Sequence, residues 1–220
     1  MVSLPASLCA QLRQCLQHLL QDQNTYAKEW LHFQGLMAKI LEVVPWAPLH
    51  LGPVVHHILF HWTLASDNYE ASLPVFTPIC QNLIWWLHPP SLNRGFPLQS
   101  LTSLVLTTNA SSLGWRAVLG DLSPQGFWSV KEASMSSNRL ELRGVWNALQ
   151  VFAFPLLDHL VVVRVDNRVV MSYINQQFVI GSFSLNLIVR RIVSLAQFHL
   201  LRLQAIHIQG VLNHQADLLS

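Results

Sequence analysis

Charged residues are scarce in this chain of 220 residues: Lys, Arg, Asp and Glu make up 11% of it, against about a quarter in an ordinary soluble domain. Apolar residues make up 51%, which excludes an intrinsically disordered chain and requires a buried core. With so few charges, we expect apolar surface to remain exposed after folding, as in a piece of a larger protein. The formal charge of +2 permits a nucleic-acid partner without indicating one.

Targeting segments are missing as well. No run of about 20 apolar residues is free of charge, His and Pro, and the nearest candidate, residues 54–65, is short and carries histidines. The N-terminus lacks a basic stretch followed by an apolar run and a cleavage site. The 3 cysteines are an odd number without a Cys-x-x-Cys pair, which fits reduced thiols. These absences favour a cytoplasmic or nuclear protein that is not secreted and has no membrane partner.

Apolar residues recur at helical spacing through the first 90 positions. Turn signals divide this stretch into four predicted helices, at residues 8–22, 25–41, 53–65 and 77–88. We therefore expect residues 1–90 to be an all-helical segment and residues 91–103 to be a linker. His57 and His61 lie one helical turn apart, but structural zinc needs four protein ligands, so this pair alone does not predict a zinc site.

After the linker the hydrophobic period becomes strand-like. The predicted strands cover residues 104–108, 114–120, 126–130, 159–165 and 202–209, and the predicted helices cover residues 138–152, 168–176, 184–199 and a stretch beginning at residue 213. The fourth strand is almost continuously apolar, so we expect it at the centre of the sheet. Residues 104–220 therefore predict an α/β domain in the order βββαβααβα.

Three carboxylates stand at the ends of these predicted elements: Glu141, Asp166 and Asp217. Each has an ordinary structural explanation. Glu141 lies three residues after Asn138, as in a helix capping box, Asp166 could cap a helix, and Asp217 could be a solvated residue in a first turn. However, ligands of open α/β sheets gather beyond strand ends, where the three could converge. Converging carboxylates repel unless a cation such as Mg²⁺ holds them, and two such ions would support phosphodiester hydrolysis.

The same positions carry a family resemblance. The strings Thr-Thr-Asn-Ala-Ser at 107–111, Asn-Arg-Leu-Glu-Leu at 138–142, Val-Asp-Asn at 165–167 and Asn-His-Gln-Ala-Asp at 213–217 resemble the ordered Asp, Glu, Asp and Asp motifs of the ribonuclease H family. Leu-Met-Ala at 36–38, the Trp85-Trp86 pair, Leu-Glu-Leu-Arg at 140–143, Tyr-Ile-Asn-Gln at 173–176 and His-Ile-Gln-Gly-Val-Leu-Asn at 207–213 resemble reverse transcriptases of tyrosine-recombinase retrotransposons, the DIRS and Ngaro groups.

This resemblance implies a mixed five-stranded sheet flanked by helices, preceded by a thumb and connection region. It also implies a site for two Mg²⁺ or Mn²⁺ ions, where the RNA strand of an RNA:DNA hybrid is hydrolysed. The metal-binding positions fall on Asn109, Glu141, Asp166 and Asp217. Asn109 departs from the pattern because an amide replaces the first Asp, so either the activity is impaired or the chain is a catalytically silent, structural or nucleic-acid-binding remnant of a retrotransposon polymerase.

Substrate contacts are implied at Asn138, matching a residue that reaches the minor groove, and at Ser111 and Ser112, matching groups that meet ribose 2′-hydroxyls. Turn chemistry explains the two serines equally well. A family His before the last helix is replaced by Val211. The chain ends at Ser220, so the resemblance implies that the last helix is truncated.

Two other activities fit the pattern less well. A transposase or integrase of the same fold would carry its Glu on a late helix, whereas Glu141 lies on the first predicted helix of the α/β domain. No Tyr-x-Asp-Asp-like string precedes the helical segment, so the polymerase domain implied as a partner is expected to be absent from this chain.

Overall fold

The computed structural model describes residues 4–21, 24–41, 43–44, 46–88, 102–179, 181–199 and 202–209. The chain divides into two compact units, Met1–Gln99 and Ser100–Ser220, called here the helical unit and the α/β unit. The boundary between them falls within residues 91–103.

The helical unit is built mainly from amphipathic helices around one core. In chain order it contains α1 (Ala6–Gln21), β1 (Asn24–Tyr26), α2 (Ala27–Ala38), α3 (Ala47–His61), a 3₁₀ turn (Leu64–Ser66), β2 (Ser72–Pro74) and α4 (Thr77–Leu87). Strands β1 and β2 pair antiparallel, with Thr25 opposite Leu73. The prediction of an all-helical segment is therefore wrong at this two-stranded ribbon. The sequence did not reveal it because strands of three residues are too short to show an alternating period.

Helix α3 begins at Ala47, six residues before the predicted start at Pro53. A proline inside a helix removes one backbone hydrogen bond and normally ends the helix. Here Leu51, Val54 and Ile58 are buried in the core, and their burial on both sides of Pro53 offsets the missing bond.

Large aromatic and aliphatic side chains fill the core of the helical unit. Trp30, Phe33 and Trp86 are fully buried. The indole of Trp30 donates a hydrogen bond of 2.6 Å to Thr25 Oγ1, so its polar atom is satisfied inside the core.

Across the part of the chain that the structure describes, no helix combines the length and the hydropathy needed to cross a membrane.

The α/β unit is a mixed sheet flanked by helices. Its elements are β3 (Ser103–Ala110), β4 (Gly114–Leu119), β5 (Gln125–Phe127), α5 (Val130–Ala133), α6 (Ser137–Val151), β6 (Leu160–Val165), α7 (Arg168–Gln176), α8 (Phe183–Phe198) and β7 (Arg202–His207). The strands lie in the order β5-β4-β3-β6-β7. Strands β3, β4 and β5 form an antiparallel meander, and β6 and β7 run parallel to β3. The predicted fold class, an α/β domain with a mixed five-stranded sheet flanked by helices, is therefore confirmed.

Two details of the predicted α/β unit are corrected. The third strand ends at Phe127, because Ser129 accepts a hydrogen bond from the Glu132 backbone and begins the short helix α5. The centre of the sheet is β3, the third of its five strands, and not β6, which lies next to it between β3 and the edge strand β7. The helix predicted to begin at Asn213 lies outside the described residues.

Helix α6 is packed closely against the sheet. It packs against β3 and β4 and against α8. At Gly144 the helix passes so close to the sheet that an added Cβ atom would lie 3.4 Å from the Ala110 Cβ atom and 3.7 Å from the Asn109 carbonyl oxygen. The middle of α6 is therefore held beside the end of β3.

Candidate active site

The carboxyl ends of β3 and β6 meet at one edge of the sheet, because the two strands are parallel neighbours. Their last pair joins Thr107 to Arg164, so Asn109 on β3 and Asp166 after β6 each lie two residues beyond it. Glu141 lies one helical turn before Gly144 on α6, and this places it at the same edge. Three of the four predicted metal-binding positions are thus brought together, whereas Asp217 lies outside the described residues.

The carboxyl group of Glu141 is unusually placed for a charged group. The residue is 5% exposed, and its Oε2 atom is buried without a hydrogen-bond partner in the described part of the chain. Burial is the largest cause that raises the pKa of Glu141, and together with the negative charge of Asp166 and a hydrogen bond with Asp166 it brings this pKa to about 8. The carboxyl group of Glu141 is therefore held in a poorly solvated position beside the half-buried Asp166.

The ordinary structural roles of these two carboxylates are filled by other residues. Helix α7 is capped by Asn167, whose side-chain oxygen accepts from the backbone N–H groups of Val169 and Val170 at 2.9 and 3.1 Å. Helix α6 begins after Ser136, so the capping box expected between Asn138 and Glu141 does not form. Neither Glu141 nor Asp166 is needed as a helix cap, which leaves both for another purpose.

Asn109 contributes an amide at this edge. Its side-chain oxygen accepts a hydrogen bond of 2.8 Å from the backbone N–H of Ala110. An aspartate at the same place would keep one oxygen for this bond and offer a second, charged oxygen to a cation. Asn109 has only the one good acceptor atom, and it carries no charge.

The donor set fits a hard divalent cation. Mg²⁺ prefers carboxylate and other oxygen ligands, and a buried pair of repelling carboxylates is relieved when a cation binds between them. Glu141, Asp166 and the amide oxygen of Asn109 are the described residues that would hold it. No group of three or more His, Cys, Asp and Glu side chains suited to a metal occurs within the described ranges, so any full carboxylate set needs Asp217.

The predicted substrate-binding residues have defined local contacts. Ser111 closes the hairpin between β3 and β4: its backbone N–H donates to the Gly114 carbonyl oxygen at 3.0 Å, and its hydroxyl oxygen accepts from the Leu113 N–H at 3.1 Å. Ser112 is exposed in the same turn. Asn138 lies in the first turn of α6, where its side-chain oxygen accepts a hydrogen bond of 2.8 Å from Asn167 Nδ2.

The sequence analysis missed two residues at this edge, Asn167 and His207. Asn167 is both the cap of α7 and the partner of Asn138, and its position directly before a predicted helix is a signal that could have identified the cap. His207, the last residue of β7, contacts the Asp166 carbonyl oxygen through Nε2 at 3.1 Å. Because a carbonyl oxygen only accepts, this contact requires a proton on Nε2 and helps to fix the backbone that carries Asp166.

Comparisons with known proteins bear on the fold. No family model and no curated protein matches this chain. The chain is similar to the RNase H1 of the halophilic archaeon Halobacterium salinarum NRC-1, at 18% identity over 53% of this chain and 93% of that chain, with a TM-score of 0.44. It is similar at 18% identity to LC11-RNase H1, isolated from compost, over 54% of this chain and 93% of that one, with a TM-score of 0.45.

A longer stretch of the chain is similar to a foamy viral protease-reverse transcriptase in complex with double-stranded DNA. The identity is 14% over 94% of this chain, with a TM-score of 0.36. This chain spans 35% of the viral protein's length. At such identities the likeness concerns the fold alone.

Proposed function

We propose that the α/β unit is the ribonuclease H domain of a retroelement reverse transcriptase, built to hydrolyse the RNA strand of RNA:DNA hybrids and impaired by Asn109. The observation that carries this proposal is the pairing of the buried carboxyl group of Glu141 with the half-buried Asp166 beyond the ends of two parallel strands. Such an arrangement destabilises the folded protein unless a cation binds, which is the usual signature of a functional site.

Each residue has a defined task in this proposal. Two Mg²⁺ or Mn²⁺ ions would supply activation of a water molecule and stabilisation of the leaving oxygen. Glu141 and Asp166 provide the negative charge, and the burial of Glu141 strengthens its attraction for a cation. His207 and the cap Asn167 hold the chain on either side of the Asp166 side chain. Asp217 is the proposed fourth ligand.

Asn109 weakens the site in two ways. It brings no charge, so up to three carboxylates in place of four would balance two divalent ions. Its only good acceptor is also engaged by the Ala110 N–H. If one carboxylate-to-metal contact supplies a few kcal/mol of transition-state stabilisation, its loss slows cleavage by about 100-fold to 1000-fold.

Substrate contacts follow the same proposal. Asn138 would reach the minor groove of the hybrid, and Ser111 and Ser112 would meet ribose 2′-hydroxyls, the groups that distinguish RNA from DNA. We further propose that residues 1–90 form the thumb and connection region of the enzyme, that the polymerase domain is a partner outside this chain, and that the element belongs to the DIRS or Ngaro type. These assignments are supported by the quoted strings.

A second candidate function is a catalytically silent domain that binds hybrids without cleaving them. The engagement of the Asn109 oxygen by Ala110 favours this alternative, because that atom is then less able to bind a cation. The two functions differ in a measurable way: the silent domain binds a hybrid and stays inactive after the charge at position 109 is restored.

The test is hybrid cleavage by the purified chain in Mg²⁺ and, separately, in Mn²⁺. A labelled RNA:DNA hybrid is incubated with the natural chain and with Asn109→Asp, and both strands are resolved on a gel. We expect the natural chain to cleave negligibly and Asn109→Asp to cleave the RNA strand alone, about 100-fold faster or more.

Two further variants control this experiment. Asp166→Asn, added to Asn109→Asp, should abolish the restored activity, whereas Asn24→Asp adds the same charge in the helical unit and should restore nothing. Cleavage by the natural chain at the rate of Asn109→Asp would show that position 109 is not part of the site. Hybrid binding without cleavage by Asn109→Asp would favour the silent domain.

A further inference from the structure

A chain of hydrogen bonds connects the start of α7 to the start of α6. The backbone N–H groups of Val169 and Val170 donate to Asn167 Oδ1, and Asn167 Nδ2 donates to Asn138 Oδ1 at 2.8 Å. The two asparagines are 29 residues apart in the sequence. Both of their side chains are partly buried where they meet. The bond joins the segment that follows Asp166 to the helix that carries Glu141.

The direction of each of these hydrogen bonds is determined by the backbone N–H groups of Val169 and Val170. A backbone N–H can only donate, so the atom of Asn167 that faces Val169 and Val170 must be its oxygen. The Asn167 amide nitrogen then faces Asn138, and a nitrogen donor requires the Asn138 oxygen as its acceptor. The Asn138 amide nitrogen, with its two N–H donors, is left to point away from Asn167. This removes the usual ambiguity between the oxygen and the nitrogen of an asparagine side chain.

From this geometry we infer that Asn167 is a positioning residue that sets the hydrogen-bonding polarity of Asn138, so that Asn138 presents donors and not an acceptor to the nucleic acid. The inference rests on the proposed function for the statement that Asn138 faces the minor groove of a hybrid. Its new element is the assignment of Asn167, which does not itself touch the duplex.

The polarity of Asn138 has a consequence for recognition. Base-pair edges in the minor groove display acceptor atoms, and only guanine adds a donor there. A side chain that presents donors can therefore bind at any sequence, as an enzyme acting along a whole hybrid requires. A side chain that presents an acceptor would be repelled by most base edges and would favour guanine.

The substitution Asn167→Asp reverses this polarity with little change in shape. One Asp oxygen accepts from Val169 and Val170, and a negative charge at a helix N-terminus is favourable, so the cap of α7 is kept. The other oxygen has no proton to donate, so the amide of Asn138 must turn and donate from its nitrogen. Asn138 then presents its oxygen to the groove.

The orientation can be tested without a ligand. In the full chain labelled with ¹⁵N, we expect a side-chain amide proton of Asn167 to be protected from solvent exchange and those of Asn138 to exchange freely. In Asn167→Asp, one Asn138 amide proton should become protected. Protected Asn138 protons in the natural chain, or no change in the variant, would overturn the inference.

The consequence for binding is tested by fluorescence anisotropy with two labelled RNA:DNA hybrids, one rich in A·T or A·U pairs and one rich in G·C pairs, in a buffer with EDTA. We expect the natural chain to bind both with similar Kd. Asn167→Asp should bind the first hybrid about tenfold more weakly and the second less so, because one hydrogen bond is exchanged for an acceptor-acceptor contact.

A double-substitution cycle separates this effect from the added charge. In an Asn138→Ala background, Asn167→Asp should change neither Kd further, whereas a simple charge effect would persist. Ser182→Asp, which places the same charge at the cap of α8, should leave the ratio of the two Kd values unchanged. If Asn167→Asp weakened the binding of both hybrids equally, with and without Asn138→Ala, the positioning role would be refuted. If the natural chain bound neither hybrid, the proposed function and the groove contact would both fail, while the exchange measurement would still decide the orientation.

Discussion

Because the carboxyl group of Glu141 is buried beside Asp166, we expect the candidate site to destabilise the fold at neutral and alkaline pH. Glu141→Gln keeps the size of the side chain and supplies an amide that can donate to Asp166 without carrying a charge. We therefore expect this variant to be more stable than the natural protein, and the difference to grow with pH. Replacement of a buried polar residue usually lowers the stability of a protein.

The magnitude follows from the pKa of Glu141. The ordinary value is 4.5 and the folded value about 8. The folded protein therefore binds more protons than the unfolded chain between these values, so stability falls as pH rises through this window. The destabilisation is about 1 kcal/mol at pH 5, about 3 kcal/mol at pH 7 and about 5 kcal/mol at pH 9.

The assay is urea unfolding at 25 °C, followed by far-UV circular dichroism, at pH 5, 7 and 9. The quantity of interest is the difference in unfolding free energy between Glu141→Gln and the natural protein at each pH, because other titrating groups cancel in it. Adding 10 mM Mg²⁺ at pH 9 should stabilise the natural protein and narrow the gap, since a cation that binds only the folded state shifts the equilibrium toward it.

Glu132→Gln is the matched control. Hydrogen bonds from Ser129 and the charge of Arg143 lower the pKa of Glu132, so this carboxylate stabilises the fold above its ordinary pKa of 4.5. Its replacement should destabilise the protein at neutral pH and have less effect in acid. A pH-independent difference for Glu141→Gln, or a loss of stability at pH 9, would show that Glu141 is not held against Asp166.

Two predictions concern stability elsewhere. Burial, with the nearby histidines His61 and His56, lowers the pKa of His57 from 6.5 to about 4. The free energy of unfolding should therefore fall by about 3 kcal/mol as pH falls from 6.5 to 4. In acid titrations followed by tryptophan fluorescence, His57→Leu should reduce this pH-dependent loss. Asn175 bonds both backbone groups of Ala205 on the edge strand β7, at 2.8 and 2.9 Å, so Asn175→Ala should cost about 2 kcal/mol in urea unfolding. The neighbouring substitution Gln176→Ala should leave the free energy of unfolding almost unchanged. An equal loss of stability in Asn175→Ala and Gln176→Ala would contradict the stabilising role of the Asn175 hydrogen bonds.

Local patterns were sufficient for most of the secondary structure. Helix α7 (Arg168–Gln176) was predicted with both ends correct, because an apolar period is a feature of neighbouring residues. Elements with no local period were missed. The ribbon of β1 and β2 joins Asn24 to Pro74, and three residues of strand carry too little pattern to be seen.

The candidate site residues were predicted from sequence: residue type and position relative to strand and helix ends pointed to Glu141 and Asp166, and the family resemblance added Asn109. Their chemistry was not. The pKa of Glu141 depends on desolvation and on the distance to Asp166, and these arise only when α6 packs on the sheet. Sequence patterns report what a residue can do, whereas burial and through-space charge decide what it does.

The role of Asn167 shows the same division most clearly. The sequence identifies an asparagine before a helix, which predicts a cap and nothing more. Only the tertiary structure brings Asn138 within 2.8 Å, and only then does the one-way donation of two backbone N–H groups determine which atom Asn138 presents. Local sequence determines secondary structure through short-range sterics and hydrogen bonds, whereas polarity and protonation at the site depend on neighbours that are distant in the chain.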